Sequence, residues 1–194
     1  MRLAPSPRTF YFTLRPAALT SGAMKHSASP TGSLSHLLVP AAIQLTLVGT
    51  KRDEVLREMV ALVPALVTLP EAREKLFHAL VERESLHSTG IGDGIAIPHA
   101  RNALAGLVEQ PTMALGRHPT GVNYGAIDGA PVRLFFLLIA PTVTQHLAML
   151  ARISRLLRDR NVRSDLLSAT DPASVINLLR HIESRMSAGL TATT

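Results

Sequence analysis

The sequence predicts a single layered α/β domain whose sheet is covered on both faces. Three observations lead there. Segments of strand-like and helix-like period alternate along the chain, the pattern of a layered α/β fold. Residues 132–140 are apolar at nearly every position, so both sides of that strand must be buried. A chain of 194 residues, 46% of them apolar, fits one domain with a sizeable core.

Each element has a local reason. Ile43, Leu45 and Leu47 alternate with Gln44 and Thr46, the period of two that marks a half-buried strand. Thr50-Lys51-Arg52-Asp53 has the form of a capping box opening a helix. Val55, Leu56, Met59, Val60 and Val63 give that helix its apolar face, and Pro64 ends it. A second helix opens at Pro70-Glu71 and buries Leu76, Phe77, Leu80 and Val81. Residues 88–94 read as a turn-rich loop, followed by the short apolar run Ile95-Ala96-Ile97 and then Pro98-His99. Residues 112–115 and 122–127 are short strand candidates, and residues 132–140 the central strand. Thr144 begins a helix expected to bury Leu147, Leu150, Ile153, Leu156 and Leu157. Asp171-Pro172 caps and opens the last helix, with Val175, Ile176, Leu179 and Ile182 facing inward.

Composition excludes several function classes. The chain has no cysteine, so disulfides, thiolate metal sites, iron–sulfur clusters and cysteine nucleophiles are ruled out; the absence is compatible with a reducing cytoplasm. No apolar run approaches the ~18 residues of a spanning helix, so direct membrane insertion is not expected. The net charge of +6 belongs mostly to one end. Residues 1–33 hold Arg2, Arg8, Arg15 and Lys25 and no acid, leaving 16 basic against 14 acidic residues, about +2, for the rest. Three of the seven aromatics, Phe10, Tyr11 and Phe12, also lie in that end. A nucleic-acid binder concentrates cations on a folded face or interleaves them with aromatics, so nucleic acid is not an expected partner. Residues 1–33 read as a disordered basic extension, or as sequence upstream of a natural start at Met24 or later; residues 34–187 read as the domain and 188–194 as a flexible tail.

The chemistry-bearing motifs mostly fail. No histidine pair has the spacing of helical metal ligands. Gly-x-Ser-x-Gly is absent, and Gly90-x-Gly92-x-Gly94 is neither a dinucleotide fingerprint nor a Walker loop. What remains is His99, which follows a glycine-rich loop, a buried mini-strand and a proline. Neutral imidazole is a nucleophile near pH 7 and can form a covalent intermediate. On these residues alone, a histidine beside a turn is more readily an ordinary surface residue than a nucleophile.

The run Arg83-Glu84-Ser85-Leu86-His87-Ser88-Thr89-Gly90-Ile91-Gly92-Asp93-Gly94-Ile95-Ala96-Ile97-Pro98-His99 changes that balance. It resembles the signature of the mannitol/fructose-class (type 2) enzyme IIA domain of the bacterial phosphoenolpyruvate-dependent phosphotransferase system, which includes a nitrogen-regulatory branch. Asp128-Gly129-Ala130-Pro131-Val132, the apolar strand up to Pro141, and His146-Leu147-Ala148-Met149-Leu150-Ala151 resemble further blocks of that family in its order, and the resemblance spans residues 34–182.

The resemblance implies an α/β domain with a mixed sheet flanked by helices on both faces and His99 at its edge. It implies a phosphohistidine carrier that takes a phosphoryl group from an HPr-type phosphocarrier on His99 and passes it to an enzyme IIB domain or holds it as a regulatory signal. His146 matches the family's second active-site histidine, which contacts the phosphoryl group, and Arg83 matches an arginine that suits an electrostatic stabiliser. Backbone amides of Ser88, Thr89, Gly90, Gly92 and Gly94 are candidates for a phosphate nest. No cofactor or resident metal is implied. His87 stands where the family commonly has glycine, Ala100 replaces a frequent glycine, and Arg101 is placed to influence the site; Asp93 reads as a turn residue and Asp128 as a loop anchor. An alternative is a purely regulatory protein-binding module whose phosphorylation controls target proteins. A remote one is a histidine metal site using His87, His99 and His146. Because residues 1–33 carry no apolar pattern, a chain starting near Gly32 is expected to melt and to take up phosphate like the full chain; a large loss of thermal stability would contradict this.

Overall fold

A computed structural model describes residues 33–100 and 106–191. The expectations for residues 1–32 and for Arg101 therefore lie outside the described residues. The elements are α1 (Leu34–Leu37), β1 (Ile43–Gln44), α2 (Arg52–Ala61), α3 (Pro70–Leu86), β2 (Gly90–Gly92), β3 (Ile95–Ala96), β4 (Thr112–Val122), β5 (Val132–Ile139), α4 (Val143–Leu157), α5 (Arg160–Ser168) and α6 (Pro172–Thr191). The strands form one mixed sheet in the order β1-β4-β5-β3-β2. β1 runs parallel to β4, β4 antiparallel to β5, β3 parallel to β5, and β2 antiparallel to β3.

The expected layered α/β fold with a mixed sheet is what the chain forms. In β5, the six consecutive residues from Leu134 to Ile139 are all buried. Successive side chains point to opposite faces, so both sides of this strand are covered. The core extends from β5 through Met113, Ala114 and Leu115 of β4 to Leu56, Met59 and Val60 of α2 and to Met149, Ile153 and Leu156 of α4.

Several boundaries differ from the sequence reading, each for a physical reason. The two short strands expected at 112–115 and 122–127 are one strand, β4, whose register shifts between Arg117 and Val122; past Val122 the chain leaves the sheet. Pro119 and Gly121, at φ 89°, look like breakers in sequence. Here the irregularity is absorbed because the His118 ring nitrogen Nδ1 accepts the Gly121 N–H at 2.9 Å. Strand β1 is shorter than the alternating pattern, but its parallel pairing continues as a single bond from Leu47 N–H to the Arg117 carbonyl. The carboxylate that closes the start of α2 belongs to Glu54, not Asp53: it accepts from the Thr50 N–H, the Thr50 hydroxyl and the Lys51 N–H. Leu147 of α4 is 59% exposed rather than buried, since the inward stripe is set by His146, Met149, Ile153, Leu156 and Leu157. Helix α5 was not anticipated, and α6 runs on to Thr191, into the stretch expected as a tail.

Two part-buried charged side chains, Arg117 and Glu183, tie these layers. Arg117 donates to the carbonyls of Leu45, Leu167 and Ala169, joining β4 to the end of β1 and to the C-terminus of α5. Glu183 of α6 accepts from the N–H groups of Leu34 and Ser35 and from the Ser33 hydroxyl, so a carboxylate of the last helix holds the N-terminus of the first.

Gly116 shows how closely α2 approaches the sheet. A Cβ built there falls 2.4 Å from Met59 Sδ and 2.6 Å from Leu47 Cδ1. Gly116→Ala is expected to lower stability by ~1–3 kcal/mol through overpacking, read as a drop in melting temperature; an unchanged melt would show that α2 shifts freely.

Candidate active site

His99 is placed by the parallel pairing of β3 with β5. Ile95 and Ala96 pair with Leu134 and Phe135, and the pairing resumes where His99 stands opposite Leu138, with Leu138 N–H donating to the Pro98 carbonyl at 3.1 Å. On the other side, the last bond toward β2 runs from Ile97 N–H to the Thr89 carbonyl. Pro98 has no N–H to offer a neighbour there. The histidine thus sits where the sheet gives out on one side while staying fixed on the other. Its Nδ1 lies 2.7 Å from the Ile97 carbonyl oxygen. A carbonyl only accepts, so Nδ1 carries the proton, and in the neutral ring Nε2 holds the lone pair.

The segment before it is a β-hairpin rather than the expected loop. β2 and β3 pair across a tight turn at Gly92, Asp93 and Gly94, all with positive φ. Asp128 fixes this turn: it accepts the Asp93 N–H at 2.8 Å and the Ala130 N–H at 3.0 Å, in keeping with its expected anchoring role. Arg163 of α5 pairs with the Asp93 carboxylate at 3.2 Å and buttresses the hairpin from outside.

Beneath the hairpin lies Glu84, 3% exposed. Its carboxylate accepts three hydrogen bonds, from the Thr89 N–H, the Thr89 hydroxyl and the Tyr124 hydroxyl. The Ser88 hydroxyl donates to the Tyr124 carbonyl and accepts the Gly90 N–H. Burial, with the Glu84 carboxylate next to it, pushes the Tyr124 phenol far above its ordinary range, so it stays a donor. The amides of Thr89, Gly90 and Asp93 are therefore engaged inside the protein, with Glu84, Ser88 and Asp128.

His146 enters from the first turn of α4, whose N-cap Thr142 accepts the Gln145 N–H. It is buried, and its ring centroid lies 5.2 Å from that of His99. Arg83, half-buried in the last turn of α3, donates from Nη1 to the His87 carbonyl at 2.6 Å. Burial is the main cause holding the His99 pKa below its ordinary value of 6.5; the Ile97 carbonyl and, more weakly, Glu84 oppose it, while the Arg83 charge reinforces it. His146 is held low by burial first and by His99 second. The pair is thus neutral near pH 7, one ring with a defined lone-pair nitrogen beside a second imidazole and within the field of an arginine.

Of the residues singled out in the sequence, His99 and His146 come together and Arg83 acts on His99 through its charge. His87 is exposed, and among the described residues no three His, Asp or Glu side chains converge in a way that could hold a metal ion. Glu84, Tyr124 and Arg163 were not singled out. For Glu84 the signal was present: it stands four residues after Leu80 on the buried stripe of α3, where a carboxylate needs partners. Exposed apolar side chains flank the site: Ile91 and Ile127 at the hairpin and Leu147 beside His146.

Lowered histidine pKa values have a pH signature. The unfolded rings bind protons near 6.5 while the folded ones resist them, so folding stability is greatest above that pH and falls as the pH drops below it. Between about pH 7.5 and about pH 5.5 the melting temperature is expected to fall less for His99→Gln/His146→Gln than for the native chain; equal losses would show that these rings do not carry the effect.

The comparisons with known proteins bear on what this arrangement is. Residues 36–182 match the family described as phosphoenolpyruvate-dependent sugar phosphotransferase system, EIIA 2. The PTS system fructose-specific EIIABC component of Bacillus subtilis is 36% identical over 148 residues, 75% of this chain but only 23% of that protein. The nitrogen regulatory protein of Pseudomonas aeruginosa is 35% identical over 153 residues, 77% of this chain and 96% of that protein. The crystal structure of the nitrogen regulatory protein IIA-Ntr of Neisseria meningitidis superposes with a TM-score of 0.66 at 31% identity, covering 75% of this chain and 97% of that one. Among the described residues no helix is long and apolar enough to cross a membrane. By a match that takes in the whole sheet and both histidines, this chain belongs to the EIIA 2 family of the phosphoenolpyruvate-dependent sugar phosphotransferase system.

Proposed function

We propose that the chain is a phosphohistidine carrier that accepts a phosphoryl group from an HPr-type phosphocarrier on His99 Nε2. The observation that carries this reading is the 2.7 Å bond from Nδ1 to the Ile97 carbonyl, which leaves Nε2 as the nucleophilic nitrogen of a neutral ring. The Nε2 lone pair forms a new N–P bond as the donor's N–P bond breaks. The donor histidine, protonated on its other nitrogen, leaves as neutral imidazole. His99 becomes a phosphorylated imidazolium whose proton stays on Nδ1, donated to the Ile97 carbonyl, and onward transfer is the same step reversed toward an enzyme IIB domain.

Such transfer depends on in-line positioning and on neutralising the equatorial oxygens. Arg83 uses one N–H on the His87 carbonyl and has others in its fork for phosphate, so we assign it electrostatic stabilisation. His146 is the second contact to the phosphoryl oxygens. Ser88, Thr89, Gly90, Gly92 and Gly94 act as the hairpin that carries His99, with the loop amides as a phosphate nest only where they exchange their present partners. The flanking side chains Ile91, Ile127 and Leu147 suit the apolar centre of a transient docking surface. The nitrogen regulatory relatives support a second use of the same chemistry, in which the phosphorylation state controls target proteins in the cytoplasm rather than a sugar permease.

Incubation with phosphoenolpyruvate, enzyme I and HPr is expected to give acid-labile phosphate on His99 Nε2. His99→Ala should take up none. His146→Ala should still be labelled but pass the group on roughly one to two decades more slowly, as for one lost charge-assisted contact worth ~1.5–3 kcal/mol. Label on His146, or full labelling of His99→Ala, would overturn the assignment.

A further inference from the structure

We propose that Glu84 is a positioning residue for His99: its buried carboxylate, acting through Thr89 and the Ile97 carbonyl, holds the ring in the tautomer that leaves Nε2 to receive the phosphoryl group. That Nε2 receives the phosphoryl group rests on the function proposed above; the positioning of the ring by Glu84 does not.

The connection is continuous in the structure. Glu84 accepts both the N–H and the hydroxyl of Thr89. The Thr89 carbonyl accepts the Ile97 N–H at 3.1 Å. The Ile97 carbonyl accepts the Nδ1 proton of His99 at 2.7 Å. Three bonds thus link a carboxylate at the end of α3 to the imidazole, each between groups that are buried or half-buried. Arg83 and Glu84 are consecutive, and they grip the same short segment from two sides, Arg83 at the His87 carbonyl and Glu84 at Thr89.

The alternative arrangement without Glu84 is costly. Thr89 is 4% exposed and Tyr124 1% exposed, so removing the carboxylate strands three buried donors at once. The segment would have to move to find them partners, and the Thr89 carbonyl would move with it. The Ile97 carbonyl then loses its fixed distance from Nδ1, and neutral imidazole is free to place its proton on either nitrogen. An Nε2–H tautomer has no lone pair where phosphorus must bond. A carboxylate accepts all three donors, whereas an amide keeps the same three contacts only by accepting from the Thr89 N–H and donating to the two hydroxyls, whose hydrogens rotate away.

That difference supplies the test. In Glu84→Gln the amide oxygen can accept the Thr89 N–H while its NH2 group donates to the two hydroxyls, so the geometry survives. In Glu84→Ala it does not. The His99 ring tautomer is read from two-bond proton–nitrogen correlation spectra of 15N-labelled protein at a pH where the ring is neutral. The native chain and Glu84→Gln are expected to show the Nδ1–H form alone, and Glu84→Ala a mixture. Phosphorylation by phospho-HPr is expected to slow about tenfold to hundredfold in Glu84→Ala with little change in KM, the size of effect that follows a small misplacement. Should Glu84→Ala fail to fold, Thr89→Val removes one donor at constant size and Thr89→Ser restores it: a mixed tautomer in the first, reverting in the second, is the expected result. A single Nδ1–H tautomer and native rate in a folded Glu84→Ala chain, or Thr89→Val matching Thr89→Ser in both readouts, would overturn the proposal. The spectra need no phosphoryl donor, so a native chain that takes up no phosphate would overturn the functional reading alone.

Discussion

A strand buried on both faces has no freedom of register, and β5 is that strand here. A slip of one residue would exchange its two apolar faces, each already matched to a different layer of helices. Everything near the site inherits this constraint. β4 is fixed by its antiparallel ladder with β5, and β1 by β4. The short β3 has only two paired residues of its own, yet its register on β5 decides where Pro98 and His99 fall. A histidine on so small an element is placed accurately because its neighbour cannot move.

The electrostatics of the site are a compromise of the same kind. A nucleophilic imidazole must be neutral but also near cations that attract a charged group in transfer. Burial and Arg83 push the His99 proton affinity down, and the Ile97 carbonyl and Glu84 hold it partly up. The result is a ring that burial and Arg83 hold neutral while the Ile97 carbonyl and Glu84 limit the shift. His146, buried alongside, is biased neutral by the same forces, so two imidazoles share a small space without repelling each other.

Much of this was legible in the sequence because it was written locally. The apolar run of β5, the prolines opening α3 and α6, and the signature ending in His99 each depend on neighbouring residues. What escaped depends on distant partners. Glycine-rich residues 88–94 offer few side chains to show a period, and the hairpin they form is fixed by Asp128 and Arg163 from far along the chain. Helix α5 buries only Val162 and Leu166, too few to mark a stripe, and its C-terminal carbonyls are met by Arg117 of β4. Pro119 and Gly121 interrupt the strand pattern, and the bond by which His118 absorbs the irregularity cannot be seen from propensity. Glu84 lies on the helical stripe, but its role does not show in the sequence, since nothing local names Thr89 and Tyr124 as its donors.

The bond network at Glu183 has a consequence for how such a domain is used in larger proteins. The matched segment runs from residue 36 to residue 182, and the carboxylate just beyond its end holds the backbone just before its beginning. Entry and exit of the folded unit therefore meet at one latch. A unit closed in this way joins its first and last helices directly, without going through the sheet that carries His99. That modularity suits a family in which the same fold serves as one portion of a long multidomain chain, as in the Bacillus relative, and as nearly the whole of a short one, as in the Pseudomonas relative.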